Sequence, residues 1–119
     1  MKAADQLVSS ARIGMVVAAC LLTSASYAAA EGNVKAGKVL TQQCEACHGA
    51  DGLSKIPEAP NIAGQLEAYV VKQLTAFKSG ERQNEMMTLI APKLSEQDIA
   101  DLAAYYSAVP ITIGKLPGE

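Results

Sequence analysis

The 119-residue chain has no tryptophan, one phenylalanine and four tyrosines. So thin an aromatic supply leaves a domain of this size a limited core of its own. Histidine occurs once, at His48, and cysteine three times. A structural zinc site takes four ligands, usually Cys and His, and Cys20 lies in a segment expected to be removed. Ten basic and twelve acidic residues give a net charge of −2. These charges are scattered, so nucleic-acid binding has no electrostatic footprint. No internal repeat and no hairpin turn signal is present. The longest clearly apolar run, Ile13 to Leu22, falls short of the roughly 20 residues that span a bilayer.

That run has the setting of a secretory leader. Lys2 and Arg12 bracket a polar start, IGMVVAACLL follows, and small residues reach Ala30. This is the signal-peptide layout, with cleavage expected after Ala28 or Ala30. Residues 1–30 are therefore read as a leader, and 31–119 as one exported, periplasmic domain with its core at about 33–108. Two weaker readings are an uncleaved anchor and lipidation at Cys20, within Val17-Ala18-Ala19-Cys20. Leu21 and Leu22 continue the apolar run past that cysteine, against lipidation. Loss of Lys2, Arg12 and Asp5 leaves eight basic and eleven acidic residues.

The most informative residues are Cys44-Glu45-Ala46-Cys47-His48. They spell C-x-x-C-H, the pattern of c-type haem attachment. Two thiols can add across the haem vinyl groups as thioethers. The adjoining imidazole of His48 can bind iron from one side. On a helix, residues three apart are neighbours, so one porphyrin can meet both sulfurs and the imidazole. A thioredoxin-like C-x-x-C would sit near a βαβ pattern, and no strand alternation flanks this one. A Cys44–Cys47 disulfide would leave His48 without a role. One covalent haem c would also supply the apolar surface that the thin core lacks.

Three main helices are legible, which makes the fold all-α. The first is predicted from about Asn33, a fair N-cap, to Cys47, with Val34, Gly37, Val39 and Leu40 facing inward. Residues 49–64, with Pro57 and Pro60, read as loop. The second runs from about Gln65 to Ser79, with Leu66, Tyr69, Val70, Gln73, Leu74 and Phe77 on one face. Gly80 suits its C-terminal stop. The third opens on Ser95 with Asp98 three residues on, a capping-box arrangement. Ile99, Leu102, Ala103 and Tyr106 form its stripe, and Pro110 bars continuation. The tail from Ile111 reads as extended and weakly anchored. The carboxylates, Asp51, Asp98 and Asp101 among them, read as solvated faces or caps.

An iron held by one histidine has an open side. The linker Glu81 to Lys93 holds the candidate ligands Met86 and Met87. A thioether ligand raises the potential of haem iron; the bland alternative is a Met filling a gap in the core.

Three stretches, CEACHGADG, APNIAGQLEAYVVKQLTAFKSGER and KLSEQDIADLAAYYS, resemble the class I cytochromes c. They are most similar to the haem domains of the cytochrome c4 and c5 group. The resemblance implies a small fold of about three main helices and loops wrapped around one haem c. It selects Met87 over Met86, because the family's axial Met lies seven residues before the Leu preceding the last cap, here Leu94. It gives Pro60 the carbonyl that accepts a hydrogen bond from the axial histidine. It also makes Gly37 the small residue where first and last helices cross, against an aromatic such as Tyr105.

The function so implied is one-electron transfer between redox proteins that dock transiently, with no catalytic residues and no small-molecule substrate. A membrane-bound oxidase or reductase is a candidate partner. Alternatives are a haem sensor or peroxidase-like protein with an open sixth site, and a cytochrome subunit of a periplasmic oxidoreductase. Cytochrome c4 proper carries two such domains where this chain has one, so transfer between haems would need two chains to pair as a dimer.

Overall fold

A computed structural model describes residues 30–118. The expected leader thus lies outside the described residues, apart from Ala30. Five α-helices occur among the described residues: α1 Val34–Leu40, α2 Glu45–His48, α3 Glu67–Ser79, α4 Met87–Ile90 and α5 Glu96–Ala108. Two 3₁₀ turns, Thr41–Gln43 and Ala91–Lys93, join α1 to α2 and follow α4. The all-α architecture expected from the sequence is the one observed. Among the described residues no helix is long and apolar enough to cross a membrane.

The first predicted helix is three helical pieces in series. Asn33 caps α1, its side chain accepting the Ala36 N–H at 3.0 Å. At Thr41 the hydroxyl donates to the Lys38 carbonyl at 2.8 Å, and the Cys44 N–H reaches the Thr41 carbonyl at 2.7 Å. These bonds to the third residue back tighten the helix into a 3₁₀ turn. The inward face also differs from expectation. Gly37 and Thr41 are buried, and Leu40 and Cys44 pack on the core, while Val34 and Val39 are 45% and 67% exposed. Val39 lies two residues, about 200° of helical turn, from Gly37, so the crossing at Gly37 turns it outward.

α5 is the centre of the molecule. Its capping box is complete: Ser95 Oγ accepts the Asp98 N–H at 3.0 Å, and Asp98 Oδ2 accepts the Ser95 N–H at 2.8 Å. The predicted stripe Ile99, Leu102, Ala103 and Tyr106 is buried throughout. Leu94, Ile99, Leu102 and Tyr106 form the core, with Leu40, Cys44, Ile62, Val71, Leu74 and Tyr105 packed on it. α3 lies against α5 through Val71 and Leu74, with Val70 and Phe77 buried. Of its predicted face, Leu66 and Tyr69 are 77% and 48% exposed. α3 begins at Glu67, two residues later than expected, which leaves Leu66 outside the helix.

α1 crosses α5 at van der Waals limits. A Cβ on Gly37 would lie 2.0 Å from the Asp101 carbonyl oxygen and 2.7 Å from Tyr105 Cβ. Gly32 is equally confined, by the Ala100 carbonyl and Ala104 Cβ. Asp101, expected on a solvated face, is instead buried at this crossing. Its Oδ1 accepts the Asn33 N–H at 2.7 Å and Gln97 Nε2 at 2.9 Å, and these bonds offset its desolvation. The linker 81–93 contains α4 and a 3₁₀ turn, a difference explained by Asn84. Asn84 Oδ1 accepts the N–H groups of Met86 and Met87, at 3.0 and 3.1 Å, as a helix cap does. The tail has no regular structure at 111–116, as expected, but Ile111 packs its side chain against Gly64.

Two outcomes follow for stability. Gly37→Val should force the helices apart and cost about 3 kcal/mol or more, read as the urea midpoint. The second concerns Asp98, whose bonds to Ser95 hold its carboxyl below the ordinary carboxylate value, with a smaller contribution from Lys78. A carboxylate so held stabilises the fold above the ordinary value of about 4 and loses that effect as pH falls through the lowered one. Melting curves of wild type and Asp98→Asn should therefore differ at neutral pH and converge in acid.

Candidate functional site

One helical turn assembles the C-x-x-C-H residues. Cys44 stands at the junction of the 3₁₀ turn and α2, and its carbonyl accepts the N–H groups of Cys47 and His48 at 3.2 and 2.9 Å. Cys44 and Cys47 therefore face the same side of the turn. Both thiols are free and half-buried. Burial pushes the Cys44 thiol up to about 11, the charges of Cys47 and Glu45 add to this, and a hydrogen bond with Tyr106 opposes it. Tyr106 is itself raised, first by burial and then by Cys44.

His48 is aimed by the loop that follows. Its Nδ1 lies 2.9 Å from the Pro60 carbonyl oxygen. A carbonyl only accepts, so Nδ1 carries the proton and donates, which leaves the Nε2 lone pair free for a metal. The Gly52 carbonyl accepts the N–H groups of Ile62 and Ala63, at 2.8 and 3.1 Å. Asn61 Oδ1 accepts the Ser54 N–H at 2.7 Å, and the Cys47 carbonyl accepts the Lys55 N–H at 2.8 Å. Together these fold residues 49–64 back over the turn and bring Pro60 to the imidazole. Gly52 has φ +75°, and a Cβ there would lie 2.6 Å from the Ala63 nitrogen.

Two tyrosines of α5 pin the backbone just past His48. The Tyr105 hydroxyl donates to the Ala50 carbonyl at 2.8 Å, and that of Tyr106 to the Gly49 carbonyl at 3.3 Å. Their rings meet edge to face, centroids 5.2 Å apart. Sequence reasoning missed these anchors, together with Gly52, Asn61 and Asn84. A Tyr-Tyr pair in a chain so poor in aromatics was the available signal for the first two.

Cys44, Cys47, His48 and Pro60 are thus brought together. Met87 belongs to a separate element, where it is half-buried at the start of α4, while Met86 is 55% exposed. Among the described residues no group of three or more His, Cys, Asp or Glu could hold a metal ion. The donor set fits a covalently held haem: two unpaired thiols one turn apart and an imidazole with one nitrogen satisfied and one free.

Residues 34–109 match the family model for cytochrome c. Cytochrome c4 of Pseudomonas aeruginosa is 43% identical over 93 residues, which cover 78% of this chain and 45% of that protein. Cytochrome c-554(548) of Halomonas halodenitrificans is 41% identical over 80 residues, covering 65% of this chain and 96% of that one. A thiosulfate dehydrogenase electron acceptor of Stutzerimonas stutzeri is 37% identical over 77% of this chain and 45% of its own. The crystal structure of reduced recombinant cytochrome c4 from Pseudomonas stutzeri superposes with a TM-score of 0.64 at 39% identity, over 70% of this chain and 48% of that one. The chain spans about half the length of the cytochrome c4 relatives it matches.

Gly52→Ala should cost about 1–2 kcal/mol for the left-handed backbone alone, and more once the Ala63 nitrogen is displaced. Urea unfolding of the haem-loaded protein measures it, and a cost near zero would contradict the folded-back loop.

Proposed function

The chain belongs to the cytochrome c family, within the cytochrome c4 group, and on that premise we propose that it is a single-haem carrier of one electron. Its cofactor is covalent haem c. When bound, that group supplies a ferric/ferrous couple that gains and loses one electron. In this reading Cys44 and Cys47 would hold the haem as thioethers, each S–H added across one vinyl double bond with sulfur on one carbon and hydrogen on the other. His48 would hold the iron through its Nε2 lone pair, its Nδ1–H engaged by the Pro60 carbonyl. Such a bond fixes the ring's orientation and raises its basicity. Met87 would supply a neutral thioether as the second protein ligand, with Met86 as the alternative.

The observation that carries the reading is the 2.9 Å His48–Pro60 contact beside two free thiols. It frees one nitrogen of the chain's only histidine for iron. Holding the same two ligands in both oxidation states limits rearrangement on transfer. The chain is read as a carrier rather than an enzyme, docking transiently on redox proteins. The layout of residues 1–30 supports export to the periplasm.

A second reading makes the chain the cytochrome partner of a periplasmic oxidoreductase, and the likeness to a thiosulfate dehydrogenase electron acceptor favours it. Copurification separates the two. A sensor or peroxidase-like role would need the sixth site open.

The visible and near-infrared spectra of the ferric and ferrous protein test the proposal. A low-spin haem with the Met–iron charge-transfer band, indifferent to carbon monoxide, is expected. A high-spin haem that binds carbon monoxide would favour the open-site reading. Met87→Ala should lose the band and gain carbon monoxide binding, whereas Met86→Ala should keep the native spectrum. The reverse pattern would move the ligand to Met86.

A further inference from the structure

The segment that carries Met87 leaves the end of α3 at Gly80 and returns to the core at Leu94. Residues of α3 and its cap hold both ends. At the start, the Gly80 N–H donates to the Phe77 carbonyl at 3.3 Å, and the Arg82 N–H to the Ala76 carbonyl at 3.0 Å. The Arg82 guanidinium turns back along α3. Its Nη1 lies 2.5 Å from Gln73 Oε1, and its Cζ lies 4.6 Å from the centroid of the buried Phe77 ring. At the far end, Lys78 Nζ donates to the carbonyl of Leu94, a residue only 3% exposed.

Between these ends the bonds are local. Asn84 caps the turn at Met86 and Met87, and its own N–H donates to Thr88 Oγ1 at 2.9 Å. The turn is therefore a self-capped unit. Beyond it the segment packs into the core through the fully buried Ala91 and through Leu94, and the bonds at its two ends add to that packing.

We propose that Lys78 and Arg82 are positioning residues that fasten segment 80–94 to α3 and so keep the Met87 thioether on the iron. This rests on the reading of Met87 as sixth ligand. The two side chains act on a closed-to-open equilibrium of the segment. Lys78 and Arg82 are exposed and keep water in both states, whereas the Leu94 carbonyl is buried, so each bond favours the closed state by the modest net worth of an intramolecular hydrogen bond. An added ligand enters the sixth position only in the open state. Its apparent affinity therefore scales with the open fraction.

The test is imidazole binding to the ferric haem-loaded protein, followed by the Met–iron band. Lys78→Met keeps the apolar stem but removes the donor, and the affinity should rise about tenfold, as the open fraction does. Arg82→Gln should raise it as well. Lys78→Arg retains a donor and should stay near wild type. Asn33→Ala, which weakens the cap of α1, is the control: it should lower the melting temperature and leave imidazole affinity unchanged.

If Lys78→Met and Arg82→Gln bind imidazole no more tightly than Asn33→Ala, while the wild type shows the Met–iron band, the fastening role is overturned. If the wild type lacks that band, the Met87 assignment fails and this inference fails with it. Should Lys78→Met not mature with haem, the Arg82→Gln comparison alone decides.

Discussion

The close crossing of α1 over α5 is the constraint from which the rest of the molecule follows. Backbone meets backbone at Gly37 and Asp101, with no room for a side chain. This contact sets where α1 lies, and α1 leads through one 3₁₀ turn into Cys44, Cys47 and His48. The same α5 supplies Tyr105 and Tyr106, which hold the backbone on the far side of the motif. A buried carboxylate, Asp101, sits at the crossing and ties down the strap before α1. The motif is thus held from both sides by one helix.

The orientation of His48 depends on a second arrangement, that of loop 49–64. A free imidazole can be protonated on either nitrogen. The Pro60 carbonyl removes that choice by accepting from Nδ1, and the loop's own bonds through Gly52 and Asn61 bring Pro60 there. Two polar devices thus prepare one ring nitrogen, while burial raises the nearby Cys44 thiol. Set beside a core of few large side chains, these features suit a fold completed by an apolar cofactor.

Much of this was legible in the residue order. C-x-x-C-H, the Ser95–Asp98 box, the Gly80 stop and the stripe of α5 are local patterns whose physics acts within one or two turns. Where the reading faltered, the deciding contacts were distant. Val34 and Val39 were expected inward because they are apolar, but the Gly37 crossing chose the buried face. Asp101 looked solvated because no sequence neighbour marks it as the acceptor for Asn33. The linker hid a helical turn because a single Asn84 cap is a weak signal beside a polar run.

The sequence by itself determined the chemistry on offer: two thiols and one imidazole at attachment spacing, a Met pair downstream, and helices with their caps. These are covalent facts and short-range preferences, readable without a partner. Only the tertiary structure decided which histidine nitrogen is free, which glycine carries the crossing, and which side chains tether the Met87 segment. Each of those depends on groups far apart in the chain meeting at hydrogen-bond or van der Waals distance. Residue order sets no such distance until the helices pack.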